Sequence, residues 1–370
     1  MIRISDRSEC CGCSACYAIC PKDAITMTPD SLGFKYPEVD PERCIDCGLC
    51  EKVCPYGKEY PRLNPSIVYA AANKDEKVRM GSSSGGVFPV LATKVLHEDG
   101  VVYGAAFSDP EKNAVEHICV ESRDSLKRIY GSKYLQSDMN DAFSEVSEKL
   151  KEGRKVLFSG TPCQIAGLKA FIGGNDAGLM TVACACHGVP SPEIWKRYLG
   201  ELKGNSDIVT FRDKTSGWKS YNVRFGDYYS PAFNDPYMKA MLQGLTLRPS
   251  CLACVFKGRD CGCDIMLGDW WGIGRLDPGL DDDKGTGAVL VFGRKGLAFL
   301  DAGSLKLKRM ACIDDPGNGG FNIKSFRQFD QNELVREMEH GRSIYKILKK
   351  LTEAKMSEKV KRRIKRILGQ

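Results

Sequence analysis

The chain has 370 residues, of which 42% are hydrophobic and 27% charged, proportions typical of a globular protein with two or three domains. Its apolar runs, such as VVYGAAF, are far shorter than the ~18 to 20 residues of a membrane-spanning helix. Much of the net charge of +7 lies near the C-terminus without an aromatic and basic stacking module, so we expect no nucleic-acid partner.

The chain is unusual in having 18 cysteines, nine of them within the first 54 residues. Its start, MIRISDRSECC, has no apolar segment of the kind found in secretory signals, and we therefore expect a cytoplasmic protein. In a reducing compartment, clustered cysteines act as metal ligands or redox groups rather than as disulfide partners. The cysteines therefore predict metal or redox centres.

Two copies of one cysteine motif make up an N-terminal head over residues 1–62. They read CCGCSACYAICP and CIDCGLCEKVCP, and each contains Cys-x2-Cys-x2-Cys-x3-Cys-Pro. Three thiolates of such a motif bind one [4Fe–4S] cluster, and the fourth cysteine reaches the other cluster. The expected ligands are Cys10, Cys13, Cys16 and Cys54 for the first cluster, and Cys44, Cys47, Cys50 and Cys20 for the second.

The head resembles bacterial two-cluster ferredoxins over residues 1–60, which implies an α+β fold. A pair of zinc knuckles is the alternative, but zinc sites use two Cys-x2-Cys pairs rather than two interleaved sets of four. Cys11 lies outside the repeated spacing, and we interpret it as a spare thiol.

A proline-rich segment, PYGKEYPRLNPS, separates the head from a body over residues 63–335. In the body, short apolar runs such as SIVYAAA and KVLFSG alternate with amphipathic stretches. This alternation predicts an α/β domain with a parallel or mixed sheet. Ligands of such sheets bind where strands lead into helices.

Three loops of the body occupy such positions. Residues 81–86, GSSSGG, precede a helix and could offer free amides to a pyrophosphate, although an N-capped flexible turn is the alternative. In GSKY, residues 131–134, a lysine could pair with phosphate and a tyrosine could stack on a ring. In SGTPCQ, residues 159–164, a cysteine at a helix N-terminus is biased toward the thiolate.

Later cysteines could form a further centre. Four thiols from three strand or loop ends are enough for a third [4Fe–4S] cluster: Cys163, Cys186, Cys251 and Cys254. Cys184, Cys261 and Cys263 compete for the same roles, so the ligand set stays open. Cys119 and Cys312 lie in isolated strand-like contexts, which predict buried apolar thiols.

Eight motifs follow one another between residues 66 and 300: GSSSGGVFPVLA, VVYGAAF, GSKYLQSD, VLFSGTPCQIAGLK, CHGVPSPEIWKRYL, SCLACVFK, LGDWWGI and DDKGTGAVLV. In this order they resemble the family of coenzyme F420 hydrogenase and dehydrogenase beta subunits. The resemblance implies an FAD-containing iron–sulfur oxidoreductase, in which FAD takes two electrons from a deazaflavin and passes them singly to clusters.

The resemblance also implies site residues. The implied FAD contacts lie on the three loops, and they are Gly81, Ser82, Ser83, Ser84, Gly85, Gly86, Ser132, Lys133, Tyr134, Gly160, Thr161, Pro162 and Gln164. The implied ligands of the third cluster are Cys163, Cys186, Cys251 and Cys254. The chain departs from the family pattern by two Cys-x-Cys segments, at Cys184 and at Cys261, so a rearranged ligand set stays open.

Two further residues are candidate proton handlers. His187 follows Cys186, and Asp269 lies in LGDWWG. The alternatives are that His187 orients its loop or hydrogen-bonds a cluster sulfur, and that Asp269 caps a turn. Trp270 and Trp271 are interpreted as core residues, with coverage of the flavin ring as the alternative.

The leading hypothesis is an oxidoreductase that joins a hydride carrier at FAD, coenzyme F420 or a similar deazaflavin, to [4Fe–4S] clusters and a redox partner protein or ferredoxin. One alternative keeps this chemistry but acts on a nicotinamide or another organic ring. Another is an electron-carrier subunit without catalysis of its own.

Residues 336–370 form a basic tail in which Ile344, Ile347, Leu348 and Leu351 have helical spacing. We expect a solvated terminal helix, and contact with an acidic partner or an anionic membrane surface is the alternative.

Overall fold

The computed structural model describes residues 1–108, 111–202, 208–311, 321 and 331–353. Cys312, predicted to be a buried thiol, and the basic residues 354–370 lie outside the described residues. Within the described ranges, no helix is both long enough and apolar enough to cross a lipid bilayer.

The head consists of short helices around an antiparallel hairpin. Its elements are the 3-10 helix Arg7–Glu9, α1 (Ala15–Ala18), β1 (Ile25–Pro29), β2 (Lys35–Val39) and α2 (Leu49–Lys52). Ser14, with φ 63°, and Gly48, with φ 71°, directly precede the two helices. These left-handed residues turn each cysteine loop back on itself. The predicted α+β head is confirmed.

The main sheet of the body has nine strands. They are β3 (Ile67–Asn73), β4 (Val101–Phe107), β5 (Val115–Val120), β6 (Ser137–Asp138), β7 (Val156–Gly160), β8 (Leu179–Cys184), β12 (Ile265–Asp269), β13 (Gly287–Val291) and β14 (Leu305–Met310). Their order is β14-β3-β13-β12-β8-β7-β4-β5-β6. Parallel and antiparallel pairs both occur, so the predicted mixed sheet is confirmed.

Strand direction brings several loops to one edge of this sheet. Strands β4, β7, β8 and β12 are parallel to one another. Strand β13 is antiparallel to both β12 and β3, so β3 also runs in their direction. The C-terminal ends of these five strands therefore lie on a common edge, which we call the carboxyl edge. Ligands of open α/β sheets bind at such an edge.

Helices cover the sheet and link its strands. They are α3 (Glu76–Met80), α4 (Val87–His97), α5 (Ala142–Lys151), α6 (Pro162–Ile172), α7 (Pro192–Glu201), α8 (Pro236–Leu242), α9 (Pro249–Leu252), α10 (Ile273–Leu276), α11 (Gly293–Phe299) and α12 (Gln331–Glu339). Two 3-10 helices span Ser125–Ile129 and Pro278–Leu280. Helix α4 begins where the GSSSGG loop predicts a helix.

A second core lies beside the main sheet. It contains a three-stranded antiparallel sheet of β9 (Val209–Asp213), β10 (Asn222–Phe225) and β11 (Tyr228–Pro231). Rings of Trp195, Phe211 and Tyr237 pack together there with centroids 4.9 to 6.0 Å apart. Such close aromatic packing stabilises this core.

The start of the C-terminal segment is packed rather than solvated. A helix over residues 344–353 buries Ile344, Ile347 and Leu348 in the second core. The Glu201 carboxylate accepts hydrogen bonds from the backbone N–H groups of Ile344 and Tyr345, at 2.6 and 3.0 Å. The expectation of a solvated helix is wrong here, because its apolar face has a partner.

The head packs directly onto the body. Helix α1 contacts α6, and a Cβ added at Gly167 of α6 would lie 2.8 Å from the Cys13 sulfur. Tyr17 of the head donates a hydrogen bond to Asp141 of the body at 2.9 Å. The absence of a side chain at Gly167 therefore lets the first cysteine motif lie against the body.

Candidate iron–sulfur and flavin sites

Each predicted set of four cysteines in the head lines its own cavity. Cys10, Cys13, Cys16 and Cys54 line a cavity of about 330 Å³, which we call the inner cavity. Cys20, Cys44, Cys47 and Cys50 line a cavity of about 370 Å³, which we call the outer cavity. The structure thus brings together the crossed ligand sets that the motif spacing predicts.

The four body cysteines that the family resemblance implies as ligands also lie together. A cavity of about 580 Å³, which we call the body cavity, is lined by Cys163, Cys186, Cys251 and Cys254. They come from the start of α6, the segment after β8, and helix α9 with the residues that follow it. Within the described ranges, no group of three or more His, Cys, Asp or Glu side chains is arranged to hold a single metal ion.

The competing cysteines do not line the body cavity. Strand β8 ends at Cys184, which is exposed and does not line the body cavity, although its thiol lies near enough to Cys186 to add to the rise that burial causes in the pKa of that thiol. Cys261 and Cys263 are both buried, and their thiols hydrogen-bond each other. Cys119, predicted to be a buried thiol, is half-buried and hydrogen-bonded to Tyr103.

Cys11 connects the inner and body cavities. Its residue lines both cavities, and its thiol hydrogen-bonds the thiols of Cys13 and Cys163. Tyr56 also lines both cavities. The inner cavity therefore borders the body cavity, and Cys11 is more than a spare thiol.

Burial determines the ionisation of most of the body thiols. It raises the pKa of Cys251 to about 12, and it raises the pKa values of Cys186 and Cys254. Hydrogen bonds from Cys11 and Thr161 lower the pKa of Cys163 despite its burial. Buried thiols with raised pKa values become thiolates most readily when a bound metal supplies positive charge.

Arg248 places a positive charge between the inner and body cavities. It is fully buried, and its guanidinium donates hydrogen bonds to the Cys10 carbonyl at 2.7 Å and to the Cys10 sulfur at 3.5 Å. A buried cation needs a compensating negative charge. Four thiolates around an iron–sulfur cluster carry such a charge, so the residues around the inner cavity fit this group.

The first two predicted flavin loops touch each other. Ser132 donates two hydrogen bonds to the Ser83 hydroxyl, from its backbone N–H at 2.6 Å and from its hydroxyl at 2.8 Å. The Lys214 ammonium donates to the Ser84 carbonyl at 3.0 Å. Gly86, with φ 72°, precedes α4 and provides no side-chain cap, so the first amides of α4 stay available to an anion.

Other residues of these loops have structural partners. Gly81 ends α3, and Ser82 donates its hydroxyl proton to the Val78 carbonyl. A Cβ at Gly85 would lie 2.3 Å from the Ala71 carbonyl oxygen, so this position requires glycine to pack on β3. The Tyr134 ring packs on Phe211 with centroids 5.4 Å apart.

Lys133 is the charged residue of the second loop. Its ammonium donates a hydrogen bond to the Tyr130 carbonyl at 2.6 Å. Desolvation by the surrounding protein lowers its pKa to about 7. An anion nearby would favour its charged form.

The third loop faces the body cavity. Thr161 and Gln164 form a capping box at the start of α6, and the side-chain oxygen Oε1 of Gln164 accepts from the Thr161 N–H at 2.9 Å. Pro162 and Cys163 line the body cavity. Gly160 pairs with Ala183 of β8 at the carboxyl edge. This loop therefore joins the carboxyl edge to the cysteines.

The two predicted proton handlers lie in different surroundings. The Asp269 carboxylate accepts two hydrogen bonds from Arg212, each 3.1 Å, and one from the Trp218 indole at 3.2 Å. Three donors make it an anchored acceptor rather than a free proton donor. The His187 carbonyl accepts a hydrogen bond from Lys257 at 2.6 Å, beside Cys186 in the body cavity.

Two models of known protein families match the chain. Residues 9–58 match a 4Fe–4S dicluster domain. Residues 153–311 match the C-terminal part of the coenzyme F420 hydrogenase/dehydrogenase beta subunit. The body of the chain is therefore related to these beta subunits over residues 153–311. The chain is an iron–sulfur electron-transfer protein that is related to oxidoreductase subunits. Its head holds [4Fe–4S] clusters.

Individual relatives agree with this family. One subunit of the F(420)H(2) dehydrogenase of Methanosarcina mazei is 26% identical over 165 residues, which cover 42% of this chain and 46% of the relative. An uncharacterised ferredoxin of Methanocaldococcus jannaschii is 44% identical over 52 residues, or 14% of this chain and 66% of the relative. The chain spans about half the length, 46% and 55%, of the curated relatives that match its body.

A solved structure shares the fold. It is the F420-reducing [NiFe] hydrogenase complex from Methanosarcina barkeri, with a TM-score of 0.50 and 18% identity. The alignment covers 81% of this chain and 94% of the matched chain. Nearly the whole length of the matched hydrogenase chain therefore aligns with the present chain.

Sequence reasoning missed several residues of this beta subunit relative. Arg248 lies three residues before Cys251 in RPSCLAC. A basic residue this close to a predicted ligand was the sequence signal that could have identified it. His117 had no sequence signal. It is buried and joins Ser137, 2.7 Å from its Nδ1, to the Ser159 carbonyl, 3.0 Å from its Nε2.

Proposed function

We propose that the chain is an iron–sulfur flavoprotein oxidoreductase that moves electrons between a hydride carrier at FAD and [4Fe–4S] clusters. The carrier is coenzyme F420 or a similar deazaflavin. The observation that carries this proposal is the position of the body cavity. Its Cys163 belongs to the third loop at the carboxyl edge, and Cys11 links this cavity to the inner cavity.

The body cavity supports a third [4Fe–4S] cluster. Besides Cys11, which also lines the inner cavity, four cysteines line it, and the thiols of Cys184, Cys261 and Cys263 do not. We therefore assign the ligands to Cys163, Cys186, Cys251 and Cys254. Lys257, which is buried and also lines the cavity, would offset part of the negative charge of four thiolates.

The carboxyl edge supports an FAD site. When bound, FAD would accept an electron pair as hydride and release the electrons singly, which a one-electron cluster cannot do from hydride directly. The free amides of α4, with Ser83 and Ser132 beside them, suit a pyrophosphate. Lys133 would supply a positive charge, since a phosphate would raise its pKa from about 7.

The anchored Asp269 and Arg212 would shape this site rather than transfer protons. Arg212 is buried and lies over the ring of Tyr221, with its guanidinium carbon 4.2 Å from the centroid. Its ion pair with Asp269 ties β9 to the end of β12. The pair would thus hold the aromatic wall at the carboxyl edge in place.

The outer cavity is the proposed exit to a redox partner protein or ferredoxin. Cys47 is exposed, and the neighbouring Ile45 is 59% exposed. Several relatives are named as subunits of larger complexes, which supports a protein partner. An apolar residue beside an exposed ligand suits transient protein contact.

Flavin content and flavin reduction test this function. We expect about one FAD per chain after anaerobic purification, because the free amides of α4 and the two serine hydroxyls suit its pyrophosphate. In stopped-flow mixing, reduced coenzyme F420 should bleach the flavin absorbance faster than reduced nicotinamides. Protein with full iron but no flavin would reject the proposal, and bleaching by nicotinamide alone would reject the deazaflavin.

A further inference from the structure

Arg248 is a cation enclosed by neutral groups. Its side chain has 0% exposure, and its other donors reach the carbonyl of Lys35 and the Gln136 amide oxygen, both at 2.9 Å. The Tyr36 ring lies 4.3 Å from its guanidinium carbon. No carboxylate in the part of the chain that the structure describes is bonded to it.

The surroundings are built to admit this side chain. A Cβ at Gly12 would lie 2.8 Å from Nη1 of Arg248, and Gly12 has φ 67°. Any other residue at position 12 would meet both backbone strain and the guanidinium. The body therefore inserts its buried cation into the first cysteine motif of the head.

We propose that Arg248 sets the reduction potential of the cluster in the inner cavity, raising it above the value that a neutral side chain would allow. With four thiolates, a [4Fe–4S] centre carries a charge of about 2− when oxidised and about 3− when reduced by one electron. No proton accompanies this electron. A nearby buried cation stabilises the more negative state more strongly, and a hydrogen bond to a ligand sulfur acts in the same direction.

The outer cavity provides a contrast within the same molecule. Its ligands belong to the same motif, but the basic side chains around it, Lys22 in its lining and Arg43 beside Cys44, are exposed to water. Water and salt weaken an exposed charge. Burial of the inner cavity by itself would lower the potential of its cluster, because the reduced state is more charged. Arg248 opposes that effect at the inner cavity alone.

Two substitutions, of which Gln136→Glu is isosteric, test the proposal. Arg248→Gln removes the charge, and Gln136→Glu gives Arg248 a carboxylate partner without removing the guanidinium. Both should lower the midpoint potential of the inner cluster and leave that of the outer cluster unchanged. We expect at least a tenfold fall in the ratio of reduced to oxidised inner cluster at the native midpoint, equivalent to about 59 mV.

The measurement is a redox titration of the anaerobically purified chain, with dithionite as reductant and electron paramagnetic resonance as readout. Loss of a signal in Cys47→Ala assigns the outer cluster. Arg248→Lys, which keeps the charge but loses the planar fork, should recover part of the shift. Arg43→Gln is the matched control, and neither midpoint should move.

An unchanged inner midpoint in both Arg248→Gln and Gln136→Glu would overturn the proposal. If Arg248→Gln loses the inner cluster, seen as about four fewer irons per chain, Gln136→Glu decides the question. Loss of the inner cluster in both variants would also overturn it, since Arg248 would then be needed for holding the cluster and not for setting its potential. The proposal depends on the head clusters and not on the flavin.

Discussion

The head and the body gather their cysteines in different ways. In the head, six of eight ligands lie within two short loops, and the remaining two, Cys20 and Cys54, follow soon after each loop. In the body, the four proposed ligands span residues 163–254 and meet only because strands and helices bring them together there. Local spacing therefore identifies the ligands of the head, whereas topology is needed to identify those of the body.

Replacing one body cysteine at a time gives the strongest test of this contrast. Cys251→Ser should remove the body cluster and lower the iron content by about four atoms per chain, while the head keeps about eight. Cys184→Ser is the matched control, because Cys184 is an exposed residue that does not line the body cavity. Equal iron loss in the two variants would contradict the ligand assignment.

The second-largest effect is expected from breaking the ion pair between Asp269 and Arg212 at the carboxyl edge. Asp269→Asn would leave Arg212, only 4% exposed, without a counter-charge. We expect the free energy of unfolding to fall by about 3 to 5 kcal/mol, measured by denaturant titration. Glu98→Gln, which breaks the exposed pair with Lys155, should cost at most about 1 kcal/mol. Similar losses in both would mean that the pair does not anchor the edge.

His117 gives the body a pH dependence that the head does not share. Burial lowers its pKa from 6.5 to about 4. The unfolded chain then takes up a proton near pH 6.5 and the folded chain only near pH 4, so stability is present above pH 6.5 and is lost as pH falls toward 4. The loss is up to about 3 kcal/mol.

Most of this proton uptake takes place between about pH 7 and about pH 4.5. Comparing the free energy of unfolding at these two pH values therefore isolates the contribution of His117. The native chain is compared with His117→Gln, and the substituted chain should show the smaller difference between the two pH values. An identical difference in both chains would exclude His117 as its source.

The smallest expected effect lies where head and body touch. Gly167→Ala would place a Cβ 2.8 Å from the sulfur of Cys13, which cannot move freely if it binds iron. We expect a loss of about 1 to 3 kcal/mol and a changed electron paramagnetic resonance spectrum of the inner cluster. Gly174→Ala, with open space around its added Cβ, should change neither. An unaltered spectrum in Gly167→Ala would mean that head and body shift to make room for the added Cβ.

The sequence predicts the head closely because its signals are local. The crossed ligand sets follow from two repeated spacings, and the helices after Ser14 and Gly48 follow from the same loops. The mixed sheet also follows from alternating strand and helix patterns. Which of the body cysteines meet could not be derived from spacing alone, because they are far apart in the chain.

Other features depend on contacts that no local pattern contains. Arg248 reaches Cys10 across 238 residues, and Cys11 meets Cys163 only after head and body dock. The sequence predicted a solvated helix over residues 344–353 because its partner, Glu201, lies far away in the chain. Each of these contacts is set by packing between distant segments, not by periodicity.

Iron and acid-labile sulfide per chain, measured on anaerobically purified protein, test the central claim most directly. A cluster in each of the inner, outer and body cavities predicts about twelve irons and about twelve sulfides. About eight of each would mean that clusters occupy only the head, and would contradict the assignment of the body cavity.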